Sequence, residues 1–576
     1  MIERLNLLLN TKYKIAFILI LFSYFVLTIL EILSIASIPL FVTYIIDPNL
    51  LIDKIPYENL KTEILKFYEI IPKDKIIFSL CLVLFTFFLL KNILSFLIYF
   101  FDAKLNRNIK YNINKDLYKH YLLEDYNFHL NTNPAIIQRN IFSATTAANT
   151  INTVTIFFKE FLLLLGLILL LIFSEFKANL YVVLSFLILA IIVFMLIGKT
   201  LKKKGNQHVF LNSQLIKSIH QFLGSIIEIK IKGNENYFYE NYRKDIFKTE
   251  TILMKLKVIK TLPKIFFEIS AVSFLLFLVY SMSKNSDDLM EIIPFATLLT
   301  LAIVRAMPSV TNLMTSMTDI KFQLPYIDII LGDLKKIKKR NITNIKNNDL
   351  SKKKFKEQIT LKNVSFSYDR GTKNTLENIN FTIKKREKVC ISGQSGSGKS
   401  TLINLILGLL KPNNGKIFLD HEELKSNETI VWENLSYVPQ NCYLIDDTIL
   451  KNIAFAEKEN EIDKKKIDKI LAICALENFI KSLTDGINTK VGDRGVRVSG
   501  GQKQRIGIAR ALYSDPKILF LDEAMSNLDI ENENLITKNL KENYSDMTII
   551  SISHHSQKLE NFDKTIRINN GRINEF

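Results

Sequence analysis

The run Val389-Cys390-Ile391-Ser392-Gly393-Gln394-Ser395-Gly396-Ser397-Gly398-Lys399-Ser400-Thr401 decides how the second part of this chain folds. An apolar strand-like run leads into a glycine-rich loop, and the apolar stretch Leu402–Leu410 follows it as a helix. A phosphate-binding loop requires that context of strand, loop and helix. Its glycines let backbone N–H groups wrap the β- and γ-phosphates, and the helix N-terminus adds a favourable dipole. Gly393, Ser395, Gly396 and Gly398 are therefore candidate nucleotide contacts. Lys399 supplies a point charge at the β/γ oxygens, Ser400 offers its hydroxyl to Mg²⁺, and Thr401 helps hold the α/β phosphates. Further on, Ile518-Leu519-Phe520-Leu521 ends in Asp522-Glu523. An apolar strand can deliver Asp522 to Mg²⁺ at its C-terminal edge, with Glu523 placed as general base on the attacking water. Residues 359–576 alternate such strands with helical stretches, which predicts an α/β domain with a largely parallel sheet.

At 576 residues the chain is too long for one core, and its composition is lopsided. Long apolar runs fill the part before about residue 310, whereas the rest has ordinary soluble composition. The formal net charge of +18 suits a nucleoside triphosphate and an anionic membrane face. The apolar first half argues against a nucleic-acid partner. Cys81, Cys390, Cys442 and Cys474 have no metal-ligand or redox spacing and read as small apolar residues. The N-terminus lacks a cleavable signal pattern, because its apolar stretch is too long for one.

A bilayer-spanning helix needs about 20 mainly apolar residues. Six stretches qualify: 15–46, 75–103, 155–174, 179–198, 264–283 and 289–311. The first two are interrupted by Glu31 and Lys91, but six such stretches do not fit one soluble domain. Basic clusters after spans two, four and six (Lys104 to Lys119, Lys199 to Lys204, Lys335 to Arg340) place both termini in the cytoplasm. Segments 104–154 and 199–263 are long, charged and helix-prone, so spans two to five are expected to run on as helices, with a turn at each hairpin tip. Leu60, Ile64, Phe67 and Ile71 recur at helical spacing, reading as an amphipathic outer helix at about 51–72 or an ordinary solvated loop helix. The expected organisation is a membrane domain over 1–320, a linker over 321–358 and a nucleotide-binding domain over 359–576.

Val498-Ser499-Gly500-Gly501-Gln502 makes the chain resemble the ATP-binding cassette (ABC) family, whose signature usually reads Leu-Ser-Gly-Gly-Gln. The resemblance implies that Ser499, Gly500, Gly501 and Gln502 face ATP held by another copy of the domain. It also implies that Tyr368 stacks on adenine, that Gln440 senses Mg²⁺, that Asp529 links two sites, and that His554 contacts the γ-phosphate. Thr489–Gly495 resembles the segment that couples exporter cassettes to their membrane helices. Departures are small: Val498 for Leu, Met525 for Thr, His555 for Arg, and Arg386 in a turn where Gly is common. Because Lys399, Asp522, Glu523 and His554 are all present, turnover of ATP is expected. The implied fold is a six-helix exporter domain of type IV followed by the ABC nucleotide-binding domain. One cassette per chain implies a second half-transporter, a homodimer by default or a heterodimer.

Three cations fall in or beside the spans: Lys91, Lys264 and Arg305. Such charges are costly at the bilayer centre. Facing a dimer interior they would attract phosphate or pyrophosphate; snorkelling to headgroups is the plain alternative. Glu31, the run Arg305-Ala306-Met307-Pro308-Ser309, Lys264 in Leu262-Pro263-Lys264-Ile265, the outer helix and the run Val438–Leu444 resemble the bacterial lipid-linked oligosaccharide flippases. That resemblance implies a polyprenyl-pyrophosphate glycan as substrate, with Lys91, Lys264 and Arg305 engaging the pyrophosphate. It weakens where Lys stands for Arg and where Asn312 occupies a further cationic position. Lipid A-type, peptide and drug exporters share every cassette motif, and an ATP-gated channel or regulator is the alternative from another class.

Overall fold

The computed structural model describes residues 2–46, 73–173, 178–285, 289–344, 351–368, 374–424, 430–552 and 562–575. The outer helix expected at about 51–72 lies outside these residues. The chain divides into two compact units, with the boundary between Lys346 and Asn347.

The first unit is helical. A short helix, Ile2–Leu8, precedes six long ones: α1 (Thr11–Ile46), α2 (Lys73–Leu122), α3 (Pro134–Phe173), α4 (Ala178–Gly224), α5 (Glu235–Asn285) and α6 (Leu289–Asn344). Each expected span falls within one of them, except that residue 174 of the third lies outside the described residues. Among the described residues, Thr11–Ile46, Asp74–Leu122 and Pro134–Ile172 are long and apolar enough to cross a membrane. Their outer surfaces fit that reading, because Phe22, Phe78, Phe85, Leu90 and Phe96 are all exposed. The 50 residues of α2 and the 51 of α5 reach about 75 Å at 1.5 Å per residue. A bilayer's hydrocarbon core is about 30 Å thick, so these helices extend well beyond it. At the hairpin tips, where turns were expected, the chain forms short helices at Tyr126–Asn131 and Ile226–Lys232.

The segment 321–358, expected as a linker, is mostly not one. Helix α6 continues through Asn344, and strand β2 begins at Gln358. Tyr326, Ile327, Ile330 and Leu334 bury their side chains in the helical core with Leu201, Val209 and Ile151. That apolar face, hidden between lysines and asparagines in the sequence, keeps the segment helical.

Several buried polar groups in this unit are paired. Tyr24 Oη donates to Asp102 Oδ2 (2.9 Å), while the Asn106 amide donates to Asp102 Oδ1 (2.9 Å) and Asn152 Oδ1 (3.1 Å), which ties α1, α2 and α3 together. Away from water, an unpaired carboxylate would cost far more than these bonds return. Helices α4 and α6 approach closely at Gly205, where an added Cβ would lie 2.5 Å from the Phe322 carbonyl oxygen.

The second unit contains a six-stranded sheet, a four-stranded one and a parallel pair, β1 (Ser351–Lys353) with β7 (Ile430–Trp432). The larger has β4 (Lys388–Gly393), β8 (Leu435–Val438), β9 (Ile518–Asp522), β10 (Thr548–Ile552), β11 (Lys564–Asn569) and β12 (Arg572–Glu575). Their order is β12-β11-β4-β10-β9-β8, parallel except for the β11–β12 pair. The parallel sheet agrees with the sequence. The smaller sheet, β3 (Leu376–Lys384), β2 (Gln358–Phe366), β5 (Asn414–Leu419) and β6 (Glu422–Glu423), is antiparallel, which the sequence reading did not foresee. Helix α7 (Lys399–Ile406) shares a core with Val389, Ile391, Ile518 and Phe520 on one face of the large sheet. Helices α8 (Gly500–Tyr513) and α9 (Ile530–Asn543) share a core with Leu519, Leu521 and Val438 on the other.

Because the obstacle at Gly205 is backbone, it cannot swing aside. Gly205→Leu is expected to destabilise the helical unit by about 1–3 kcal/mol, read as a lower unfolding temperature of purified protein; an unchanged midpoint would mean that α4 and α6 are not held this closely.

Candidate functional site

Parallel register assembles the site. Asp522 pairs with Ile552, which pairs with Ile391, and Leu521 pairs with Val438. The C-terminal ends of β4, β8, β9 and β10 therefore share one edge, where open α/β sheets bind ligands. Gly393 and the loop leave β4 at that edge, and Gln440 follows β8 by two residues.

The loop has the backbone that its glycines predict. Gly398 caps α7 at φ 103°, and an added Cβ would sit 2.8 Å from Leu376 Cδ2 and 3.0 Å from the Thr375 carbonyl. At Gly393, with φ 152°, the obstacle is the Ile568 carbonyl oxygen at 2.3 Å. Lys399 Nζ donates to the Gly393 and Gln394 carbonyls, both at 2.9 Å, so its ammonium is folded over the loop. Burial pushes the Lys399 amine below its ordinary value, opposed by the charges of Glu523 and Asp522. Ser397 Oγ is buried and has no hydrogen-bond partner among the described residues. Ser395 and Gly396 are exposed at the loop's outer side.

Asp522 and Glu523 diverge. Strand β9 alternates, so Ile518, Phe520 and Asp522 point to the α7 face. Asp522 Oδ1 lies 3.4 Å from the Ser400 hydroxyl, and Oδ2 accepts from Tyr437 Oη at 3.1 Å. Burial raises the Asp522 carboxyl above the usual range, while the Tyr437 and Ser400 hydroxyls and Lys399 hold it down. Burial, with the Asp522 charge, also raises the Tyr437 phenol, which remains a proton donor at neutral pH. Glu523 leaves the strand with φ 49°, a left-handed conformation that turns it away from Asp522. Its Oε2 accepts from Gln440 Nε2 at 2.7 Å.

Ser400, Asp522 and Gln440 thus offer a hydroxyl, a carboxylate and an amide at one edge. Hard oxygen donors of this kind fit Mg²⁺, which commonly takes one or two carboxylates and completes its shell with water and phosphate oxygens. The buried Asp522 carboxylate and the unpaired Ser397 hydroxyl are groups that such an ion and its phosphates would satisfy.

Tyr368 is placed beside the loop. Its hydroxyl hydrogen-bonds Thr401 Oγ1 (3.0 Å), its ring meets Phe366 edge-on (centroids 5.1 Å), and it is half-exposed. Ser499 accepts from the Gln502 N–H, and the Gln502 side chain returns a bond to the Ser499 N–H, a capping box that starts α8 at Gly500 and Gly501. Asp529 caps α9 through Asn532, whose hydrogen bonds hold its carboxyl below the usual range. His554 and His555 lie outside the described residues. Arg386 has φ 67°, consistent with a position where Gly is common.

Two residues here carried no signal in the sequence reading. One is Tyr437, whose partner is remote in the chain. The other is Gln504, almost fully buried, whose amide donates to the Gln440 carbonyl (3.3 Å) and accepts from the Asn527 N–H (3.2 Å).

The three cations singled out in the helical unit have different surroundings. Arg305 is not a free charge: its guanidinium lies 2.6 Å from Glu31 Oε2, and Glu31 is buried. Lys91 has no ion pair among the described residues; it sits over the Phe88 ring (5.1 Å) within electrostatic reach of Glu31 and Arg305. Lys264 is exposed on α5. Lys159, which the sequence reading passed over, bonds Tyr99 and pairs with buried Glu160 (3.5 Å), which also accepts from Asn312 (3.1 Å).

Residues 376–526 match the ABC transporter family. The chain is similar to a protein of Rickettsia typhi whose name describes an export ATP-binding/permease protein, 29% identical over 90% of this chain and 88% of the relative. It is similar to an ATP-dependent lipid A-core flippase of Cupriavidus pinatubonensis, 28% identical over 78% of this chain and 75% of the relative. In fold it is similar to a bacterial Atm1-family ABC exporter with ATP bound, with a TM-score of 0.70 and 20% identity over 98% of this chain and 94% of that one. Taken with the helical unit and the ATP-site geometry, these likenesses mark residues 376–526 as an ABC transporter cassette, in a chain whose overall fold is that of an ABC exporter.

Proposed function

We propose that two copies of this chain form a homodimer that flips a phosphate-bearing glycolipid, a polyprenyl-pyrophosphate glycan, from the cytoplasmic to the outer leaflet of a bacterial inner membrane. Both termini face the cytoplasm in this reading, in keeping with the basic residues that follow spans two, four and six. Each ATP is held by the loop Gly393–Thr401 and Tyr368 of one copy and by Ser499, Gly500 and Gly501 of the other. The convergence of loop, Asp522, Glu523 and Gln440 on one sheet edge is the observation that carries the ATP-driven part.

In hydrolysis, Lys399 exchanges its loop carbonyls for β- and γ-phosphate oxygens, and Glu523 takes a proton from the attacking water. Gln440 orients the Glu523 carboxylate, and His554 contacts the γ-phosphate. Ser400, Asp522 and Gln440 would hold Mg²⁺, which would neutralise phosphate charge. Binding closes the two cassettes; hydrolysis and phosphate release separate them, and the long helices carry that movement into the membrane.

The substrate reading draws on Lys91 and Arg305 within apolar helices, where a cation is retained at a cost. The Glu31–Arg305 pair refines it, because an entering phosphate competes with Glu31 for the guanidinium. A lipid A-type substrate is the second reading, favoured by the likeness to the lipid A-core flippase. Reconstituted vesicles supplied with polyprenyl-pyrophosphate sugars, lipid A or peptides separate these: flipping of the first alone supports the proposal, and transport of peptide alone overturns it.

Glu523→Gln is expected to keep ATP bound while turnover falls by at least about 100-fold, the scale of a lost general base; near wild-type hydrolysis would contradict the assignment. Removing Arg305 alone strands buried Glu31, so the informative variant combines Glu31→Gln, Lys91→Gln and Arg305→Gln. Its flipping is expected to fall about tenfold or more, the scale of one charge-assisted hydrogen bond, with basal ATP hydrolysis retained. Unchanged flipping would remove the cations from the transport path.

A further inference from the structure

We propose that Tyr437 is a positioning residue for the divalent cation, orienting the Asp522 carboxylate so that Oδ1 is presented toward Ser400. The proposal rests on the assignment of Asp522 and Ser400 to Mg²⁺ made above. Strand β8 lies beside β9 in parallel, with Tyr437 opposite Phe520. Residues opposite one another share a face, and Asp522, two positions after Phe520, shares it too. A diagonal neighbour in a sheet lies within reach of an aromatic side chain. Tyr437 spans that diagonal, and its hydroxyl meets Asp522 Oδ2 at 3.1 Å. The ring packs against the core that contains Phe520, Leu402 and Ile403, on the face that carries α7. Each Asp522 oxygen thus has its own hydroxyl: Oδ2 is engaged by the strand neighbour, and Oδ1 faces Ser400 at 3.4 Å.

The consequence is chemical as well as spatial. Asp522 is almost completely buried, so rotation of its carboxylate is decided by its few partners. A hydroxyl fixed on Oδ2 satisfies that oxygen and leaves Oδ1 as the one offered to a cation. Without it, an unsatisfied Oδ2 can turn toward Ser400, and the prearranged donor pair is lost. Tyr437 also sits three residues before Gln440, so one short segment supports both Asp522 and the partner of Glu523.

The test is equilibrium nucleotide binding to the full-length, detergent-purified protein, titrated with Mg²⁺ in wild type, Tyr437→Phe, Tyr437→Leu and Asp522→Asn. Binding of ATP without Mg²⁺ reports whether each variant is folded. The expected result is a Mg²⁺ half-saturation raised about tenfold in both Tyr437 variants, the size of one hydrogen bond to a charged group, with Mg²⁺-free binding unchanged and excess Mg²⁺ restoring affinity. Electron paramagnetic resonance of Mn²⁺ bound with ATP should show a broadened environment in Tyr437→Phe. A shift in Tyr437→Leu but not in Tyr437→Phe would assign the effect to ring packing and overturn the proposal. So would a shift in Asp522→Asn with none in Tyr437→Phe, although the Asp522 assignment would stand. If no variant shifts, including Asp522→Asn, the Mg²⁺ assignment fails and the proposal falls with it.

Discussion

The ATP site depends on one buried carboxylate held at the end of an apolar strand. Asp522 is kept from water by β9 and its neighbours, and it is compensated by Ser400, Tyr437 and Lys399 rather than by solvent. Burial costs the ionised form, and these partners offset that cost. The strand's alternation aims Asp522 at the phosphate-loop face, while the left-handed turn at Glu523 aims the next carboxylate at Gln440. Two adjacent acids thereby acquire different surroundings and different work, one suited to a cation and the other to a water molecule.

Much of this was legible in the sequence because the chemistry is local there. A loop of glycines followed by Lys399 and Ser400 states its backbone conformation directly, and the structure places Gly393 and Gly398 where side chains do not fit. The apolar run before Asp522 states a buried strand. Tyr437 and Gln504 were not legible, since their partners lie 85 and 23 to 64 residues away and only strand order brings them together. The antiparallel sheet was missed for the same reason: β2 pairs with β3 and β5 through bulged registers that no local pattern announces. In the segment after residue 320, abundant Lys and Asn masked an apolar face at helical spacing, and α6 therefore runs on where a linker was expected.

In the helical unit, the cations and Glu31 are visible in the sequence, but which acid meets which cation is not. Glu31 and Arg305 are 274 positions apart in the chain but 2.6 Å apart in the fold. Lys159, Glu160 and Asn312 form a second cluster, and Asp102 a third with Tyr24 and Asn106. Polar groups within apolar helices are tolerated where they find one another, and each of these clusters includes a bond between two helices. In the proposed transport path, a phosphate that displaced Glu31 from Arg305 would couple substrate entry to a helix–helix contact.

Whether nucleotide is clamped between two copies is tested most directly with mixed dimers isolated through two affinity tags. In one arrangement Lys399→Ala is on one copy and Ser499→Arg on the other. In the second, both substitutions sit on the same copy, opposite a wild-type partner. If each ATP lies between the loop of one copy and the signature of the other, the first arrangement confines both lesions to one site and leaves the other intact. Vanadate-trapped nucleotide should then persist at one site in the first arrangement and be lost from both in the second. Equal trapping in the two arrangements, or trapping by a single copy alone, would contradict a nucleotide shared between chains.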